Sequence, residues 1–599
     1  MLRRLPRPGL AVALIAAALA AWPAFAGSDS KIADARAALQ RGDAIGAEVA
    51  LREALRQGAN ARDVAALMGE AELLQDDLRL ARKWLEPEDF APQDRGTGFQ
   101  MLGRLQMEQG DLPAAGAAFD KALRYIPKSP DLWVDIARLR FRGGEQLQAI
   151  EAADYALALG PENTAALVMR GQLTRDGTGP VAALPLFARA VVQAPDDLTA
   201  LFAYGATLGE IGRAKSMLTV ARRMVEIDGR DPRGYWLQAV LAARGGHYEL
   251  ARRLMMRTGD AYADDPAAMM LSAVLDLETG NLASARKMAE TLSRIQPDND
   301  TVQDLLGRIM AQQGAWAEIT TRYGASALDG NLSPYLRTLT ARAYEAQNER
   351  AKAAPLLDAI ARDGAGGRSA APDLITLAQD VPLAVLAARW HDAPHEGSRF
   401  MPYVRALIAR GDSARAVEIA NELATRFPGS GDIHLLAGDA QLAADDPVRA
   451  LAHFQKAALV RLSPALRDRM VAASLASGNV GFAKGILAQY VIQHPLDGEA
   501  ALTLARMFAE GGDWKRGAAL SRHALRQPLT AASPTALAFA AQAERRSGNI
   551  GKAQELAERA YELAPQNIVV LQSYAAALEA SAKADDAAFV QAKLQLVSR

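Results

Sequence analysis

The stretch of sequence that decides the fold is LGRLQMEQGDLPAAGAAFDKALRYIP, residues 102–127. Gly110 divides it into two segments rich in alanine and leucine, which both favour helix. Glycine supplies the positive φ that the end of a helix needs, and a proline cannot continue a helix. The stretch therefore predicts two helices that are joined by a tight turn at Gly110 and end before Pro127.

The same landmarks recur every 34 residues. Pro127, Pro161 and Pro195 follow this step, and Gly229 continues the series. Three further kinds of position recur with it: glycines where two helices approach closely, turn glycines between the helices, and alanines early in the second helix. They are Gly103, Gly171 and Gly205; Gly110, Gly144, Gly212, Gly246, Gly280 and Gly314; and Ala115, Ala149, Ala183, Ala251 and Ala285. A period of 34 residues indicates about 17 helix pairs in the chain.

These positions resemble the tetratricopeptide repeat, which has Leu-Gly, Ala, Phe, Ala and Pro at fixed offsets. The resemblance is best at residues 96–299 and 398–567. It implies an all-α fold, a right-handed superhelical solenoid of helix-turn-helix repeats. It also implies a long surface that binds other proteins.

The N-terminal segment has the features of a secretory signal peptide. Three arginines precede an apolar run at residues 10–22, and residues 24–26, Ala-Phe-Ala, match a cleavage pattern. We expect cleavage after Ala26 and a periplasmic location, with an uncleaved anchor as the alternative. No later apolar run reaches about 18 residues, so the sequence predicts no second membrane span.

The repeat pattern also predicts the domain organisation. It weakens where Gly-Ala-Gly-Gly, residues 364–367, and three prolines interrupt it. This segment is either a hinge or a long surface insertion. The predicted segments are a signal peptide at 1–26, an N-terminal lobe at 27–361, a degenerate repeat or hinge at 362–397, a C-terminal lobe at 398–567, and capping helices at 568–599, whose outer face would be charged through Lys583, Asp585 and Asp586.

Composition and motifs argue against several classes of function. The chain has no cysteine, so it has no disulfide, thiolate metal site or cysteine nucleophile. Its 68 basic and 69 acidic residues nearly balance, whereas nucleic-acid-binding domains are strongly basic. His391 and His395 have metal-ligand spacing, but Pro394 lies between them and disfavours one helix. The sequence therefore predicts no catalytic residue, no cofactor, no metal site and no enzyme, since repeats occupy almost all of it.

A candidate binding surface follows from the repeat register. In the tetratricopeptide family, the first helix of each repeat lines the binding groove, and here three consecutive first helices are apolar at their fifth and ninth positions. These residues are Phe202, Ala206, Trp236, Val240, Met270 and Val274. Such a strip suits an apolar or helical segment of a partner protein. The alternative is that the six residues belong to the core between repeats, because large apolar residues are usually buried.

The resemblance also suggests a role. The chain is similar to tetratricopeptide subunits that assist exopolysaccharide export and to those of exosortase-associated systems. We expect a periplasmic scaffold for envelope proteins, with a polysaccharide export or synthase complex as its partner. The alternatives are an assembly factor for pili or outer-membrane proteins, and a carbohydrate-binding or polysaccharide-modifying protein. The last would need paired carboxylates and exposed aromatic residues in a cleft.

Overall fold

The computed structural model describes residues 28–327, 332–362 and 381–598. Within these ranges the chain forms 34 α-helices and one 3₁₀ turn, and no strand. The expectation of an all-α fold of repeated helix pairs is confirmed. The predicted signal peptide and the glycine-rich residues 364–367 lie outside the described ranges.

The chain divides into two compact units. Unit 1 runs to Arg170 and includes Phe427–Gly431. Its helices are α1, residues 28–40, α2 Ala44–Arg56, α3 Ala61–Leu74, α4 Leu78–Leu85, α5 Arg95–Glu108, α6 Leu112–Leu123, α7 Pro130–Arg142, α8 Gln146–Leu159 and the start of α9 Thr164–Gly177, with a 3₁₀ turn at Pro92–Asp94.

Unit 2 comprises Gly171–Arg426 and Asp432–Arg599. Its helices up to the undescribed gap at 363–380 are α10 Pro180–Gln193, α11 Leu198–Glu210, α12 Ala214–Ile227, α13 Pro232–Arg244, α14 Tyr248–Met256, α15 Pro266–Glu278, α16 Leu282–Ile295, α17 Asp300–Gln312, α18 Trp316–Tyr323, α19 Pro334–Ala346 and α20 Arg350–Arg362.

After that gap come α21 Leu383–Asp392, α22 Gly397–Ala409, α23 Ser413–Arg426, α24 Gly431–Ala443, α25 Pro447–Val460, α26 Pro464–Ala476, α27 Val480–Gln493, α28 Gly498–Glu510, α29 Trp514–Ala524, α30 Pro528–Ala531, α31 Pro534–Arg546, α32 Ile550–Leu563, α33 Ile568–Ala580 and α34 Ala584–Val597. The lobe boundaries predicted at 361 and 397, and the hinge between them, stay predictions.

The pair α5–α6 illustrates how each repeat folds. Gly110 has a φ of +82°, and the Asp111 side chain accepts a hydrogen bond from the backbone N–H of Ala114 at the start of α6. A Cβ on Gly103 would lie 2.3 Å from the buried ring of Phe119, so only glycine lets the two helices approach this closely. The predicted turn at Gly110 and close approach at Gly103 are confirmed.

Helix α34 presents two kinds of surface. Lys583, Asp585 and Asp586 are exposed at its start, whereas the large apolar residues Phe589 and Leu596 are also exposed further along it. Its inner face contributes Val590 to the core. Among the helices in the described ranges, none combines the length and the apolar character that a bilayer crossing requires.

Candidate functional site: an apolar strip on three first helices

The six predicted strip residues lie on α11, α13 and α15 of unit 2. Each helix contributes two of them, spaced four residues apart and therefore on one face. All six are half-buried: Phe202, Ala206, Trp236, Val240, Met270 and Val274. Each side chain therefore packs against the protein over part of its surface and leaves the rest accessible. We call these six residues the apolar strip.

The core beneath the first part of the apolar strip is built by neighbouring positions. Leu201 and Leu208 of α11 are buried against Met217 and Met224 of α12. Phe202 and the other strip residues of α11 and α13 pack on the edge of this cluster without entering it. The structure thus separates a fully buried row of α11 from the half-buried row that forms the strip.

Trp236 is the largest residue of the strip and is supported by Tyr262. The centroids of the two rings are 5.1 Å apart, and Tyr262 lies in the connection between α14 and α15. Burial raises the pKa of the Tyr262 hydroxyl, and the Asp231 carboxylate raises it further. Sequence reasoning missed Tyr262, because this connection does not follow the regular helix register.

A hydrogen-bonded pair lies beside Trp236 at the start of α13. The guanidinium of Arg233 contacts the carboxylate of Asp231 at 2.6 Å and donates to the hydroxyl of Thr199 on α11 at 3.1 Å. Asp231 also accepts a hydrogen bond from the backbone N–H of Arg233 and so caps the helix. Burial raises the pKa of Asp231, but the hydrogen bonds that Arg233 donates to the carboxylate together outweigh it and lower the pKa. The pair joins α11 to α13 at the N-terminal end of the strip.

A charged row follows the strip at the C-terminal ends of α11, α13 and α15, and Arg175 of α9 and Arg308 of α17 extend it on either side. Arg175 lies 3.9 Å from Glu210, and Arg308 of α17 lies 2.8 Å from Glu278 of α15. Between these pairs, Arg244 donates to the carbonyl oxygen of Gly209 at 2.9 Å. Burial raises the pKa of Glu210 although Arg175 opposes the shift. We call these five residues, Arg175, Glu210, Arg244, Glu278 and Arg308, the charged rim.

Polar side chains bound the strip along the repeat direction. The positions of α17 that correspond to Met270 and Val274 carry Asp304 and Arg308. Asp304 accepts a hydrogen bond from the Ser333 hydroxyl, and burial raises its pKa. On the other side, α9 carries the half-buried Gln172 at the position that corresponds to Ala206 and the buried Val168 at the position that corresponds to Phe202. The apolar surface therefore spans three repeats, and its role in binding stays a prediction.

The spacing of His391 and His395 raises the question of a metal site in the described ranges. No three His, Asp or Glu side chains in them converge as metal ligands would. His391 lies in α21, whereas His395 lies in the turn after Pro394 and contacts the guanidinium of Arg426 at 2.6 Å. The two imidazoles are thus not on one helix.

Comparisons with known proteins identify the repeat. A family model described as tetratricopeptide repeat matches residues 101–164 and 404–466. No curated protein has a matching sequence.

Among solved structures, PilF of Pseudomonas aeruginosa is 18% identical, with a TM-score of 0.32 over 36% of this chain and 97% of that one. PilW, a type IV pilus biogenesis factor, is 17% identical, with a TM-score of 0.30 over 35% of this chain and 98% of that one. YrrB, a repeat protein with an unusual peptide-binding site, is 22% identical, with a TM-score of 0.24 over 33% and 97%. Likeness at this level carries no argument about function.

Proposed function

Because the chain is a tetratricopeptide-repeat protein, we propose that it is a periplasmic scaffold that assists assembly or export of an envelope polysaccharide by binding proteins of that machinery. Tetratricopeptide repeats generally serve as interaction modules and not as enzymes. Stacked helix pairs provide a continuous surface that single helices cannot. The proposal assigns partner binding to the apolar strip.

The observation that carries the proposal is the position of the apolar strip. Six apolar side chains from three consecutive first helices are neither fully buried nor scattered. A contiguous apolar surface with polar borders is typical of a protein-binding site. Its spacing suits an amphipathic helix or an apolar extended segment, which would cover the exposed parts of Phe202, Trp236 and Met270.

The charged rim favours a partner segment that is apolar over one that is strongly charged. Its charges alternate in sign, and four of the five residues form ion pairs with each other. A highly charged partner would have to compete with these pairs. We therefore expect the bound segment to be apolar where it covers the strip and to carry few charges beside the rim.

The proposed periplasmic location is supported by the sequence of the N-terminus. A positive segment, an apolar run of 13 residues at 10–22 and a small-residue cleavage pattern favour export from the cytoplasm. The polysaccharide role is supported by the resemblance to repeat proteins of exopolysaccharide export. Mass spectrometry of the mature protein would test the location, because cleavage after Ala26 gives an N-terminal Gly27.

A crosslinking pull-down from the native envelope tests the proposed function. The tagged chain would be compared with Trp236→Ala and with Trp514→Ala, whose half-buried tryptophan lies on α29 outside the strip. We expect wild type and Trp514→Ala to recover polysaccharide export or synthase components, and Trp236→Ala to lose them. Circular dichroism would confirm that both variants fold.

Two outcomes of this experiment would contradict the proposal. Recovery of pilus or outer-membrane assembly proteins in place of polysaccharide components would assign the scaffold to those pathways. Equal recovery by wild type and Trp236→Ala would remove the strip from partner binding, and Trp236 would then be a residue of the repeat core.

A further inference from the structure

Helix α10 of unit 2 begins without a capping side chain, as several other second helices of the repeats do. Asp111 and Asp446, by contrast, cap α6 and α25 by accepting a hydrogen bond from a backbone N–H of the first turn. Gly179 occupies the corresponding position before α10, has a φ of +131° and offers no side chain. The first turn of α10 therefore needs an acceptor from elsewhere in the chain.

Gln493, at the end of α27, supplies that acceptor. Its Oε1 accepts a hydrogen bond from the backbone N–H of Ala182 at 2.8 Å, although the two residues are 311 positions apart in the sequence. The side chain of Gln493 is buried, with 7% of the residue exposed. A buried glutamine that replaces a missing helix cap indicates that the two segments are fitted to each other.

A second long-range hydrogen bond is accepted by a carbonyl group at the C-terminal end of α9, on the other side of the α9–α10 turn. The backbone N–H of Leu462, between α25 and α26, donates to the carbonyl oxygen of Asp176 at 2.8 Å. Asp176 lies in the last turn of α9, where carbonyl groups have no partner within the helix. The α9–α10 turn is thus hydrogen-bonded on both sides by residues of the C-terminal repeats.

Glycines in this region leave room for the contact. A Cβ on Gly177 would lie 2.2 Å from the carbonyl oxygen of Leu459, and a Cβ on Gly179 would lie 2.6 Å from the Cβ of Gln493. Gly177 is part of α9, where alanine would favour the helix. Glycine at this position stabilises the helix less than alanine would, but it permits the close approach of Leu459.

We propose that residues 176–182 and residues 459–462 with Gln493 form an intramolecular clasp that holds the α9–α10 turn in place. Helix α11 follows α10 directly and packs against it, so the closed clasp fixes the first helix of the apolar strip. Each of the two hydrogen bonds contributes about a 2- to 10-fold preference for the closed form, and the packing of Leu459 against Gly177 adds to it.

Hydrogen exchange of the full chain, read by mass spectrometry, tests the clasp. In Gly177→Ala the new methyl group would collide with Leu459, and we expect amide exchange in 176–182 and 459–462 to become about 3- to 10-fold faster. The matched control is Gly485→Ala, a glycine of α27 whose Cβ position meets nothing within 4 Å. In the control we expect exchange in these two segments to stay the same or to slow.

The result that would overturn the proposal is a change of the amide exchange rate in the opposite direction. Without a clasp, Gly177→Ala would only strengthen α9, and exchange in 176–182 would slow as in the control. Gln493→Ala provides an independent variant, because it removes the acceptor without adding an atom. We expect it to accelerate exchange at Ala182, and unchanged exchange there would also overturn the proposal.

A crosslinking measurement on a chain that keeps Gly177, Gly179 and Gln493 guards against misfolding of these variants. Since the protein has no native cysteine, Thr178→Cys with Ile492→Cys would introduce two exposed thiols next to Gly179 and Gln493. We expect a short bismaleimide to join them within one molecule, whereas Thr178→Cys with Lys552→Cys on α32 stays unlinked. Absence of the first crosslink would overturn the proposal.

Discussion

The guanidinium of Arg104 on α5 donates a hydrogen bond to the fully buried carboxylate of Asp135 on α7, at 2.7 Å. Gln100 donates to the same carboxylate at 2.6 Å, and Arg138 approaches it at 3.2 Å. Asp135 thus joins the first helices of two consecutive repeats of unit 1. Burial of a charged carboxylate costs free energy unless hydrogen-bond donors and positive charge compensate it, and these three side chains do so for Asp135.

Removal of this carboxylate should therefore destabilise unit 1. We expect Asp135→Ala to lower the free energy of unfolding by about 3 kcal/mol, at the low end for buried pairs, because the Arg104 side chain remains 31% exposed. The measurement is urea denaturation followed by circular dichroism. Asp111→Ala, which removes only a helix cap, should cost about 1 kcal/mol. Equal costs for the two variants would contradict the account of Asp135.

The close approach of α5 and α6 gives a second prediction. We expect Gly103→Ala to destabilise the protein by about 1–3 kcal/mol, because its methyl group would overlap the ring of Phe119. Gly116→Ala is the matched control within α6, since its nearest neighbour, a methyl carbon of Leu139, is 3.7 Å away. The control should be neutral or stabilising. Thermal unfolding of both variants checks the prediction, and a stable Gly103→Ala would contradict it.

A pair formed by a buried histidine, His434, and a half-buried one, His453, predicts how stability depends on pH. The Nδ1 atoms of His434 on α24 and His453 on α25 are 3.1 Å apart, and burial lowers the pKa of His453, with smaller contributions from His434 and Lys456. Below its ordinary pKa of 6.5, His453 binds a proton more readily in the unfolded chain than in the folded one. Its neutral form therefore stabilises the fold above pH 6.5, and this contribution is lost as the pH falls.

We expect the free energy of unfolding to fall between pH 7.5 and 5.5, and one titrating group can contribute at most about 1.4 kcal/mol per pH unit. Urea denaturation at both values measures it. We expect His453→Gln to reduce the dependence, and His247→Gln, which changes an exposed histidine, to leave it as in wild type. The same dependence in both variants would show that His453 is not its source.

The charged rim predicts how a partner responds to salt. Because Arg175 pairs with Glu210 and Arg308 pairs with Glu278, we expect little net attraction for a charged ligand. The affinity of a partner recovered from the envelope should change less than about threefold between 0.1 and 0.5 M NaCl. Calorimetry at the two salt concentrations checks this. A tenfold loss of affinity would instead assign binding to the charges.

The sequence was most informative where the structure is periodic. Gly103, Gly110 and the 34-residue step each have a local cause, a close helix contact or a turn, so one chain suffices to predict them. The six strip positions followed from the same register, and the structure places them on one half-buried face.

The contacts that the sequence did not predict lie outside the period. Tyr262 reaches Trp236 from an irregular connection, and Gln493 caps α10 across 311 residues. Neither contact leaves a pattern in the residues near it. Gly179 before α10 is not a distinctive sign either, since α8, α12 and α14 also begin without a side-chain cap.

The most direct test of the account is photo-crosslinking from within the apolar strip in living cells. A photoreactive amino acid at Val240 would be compared with one at Thr219, an exposed residue of α12 outside the strip. We expect Val240 to crosslink to a defined envelope protein and Thr219 not to do so, and we expect Trp236→Ala to abolish the Val240 product. Equal crosslinking from both positions, or a Val240 product that persists in Trp236→Ala, would contradict the claim that the strip is the binding surface.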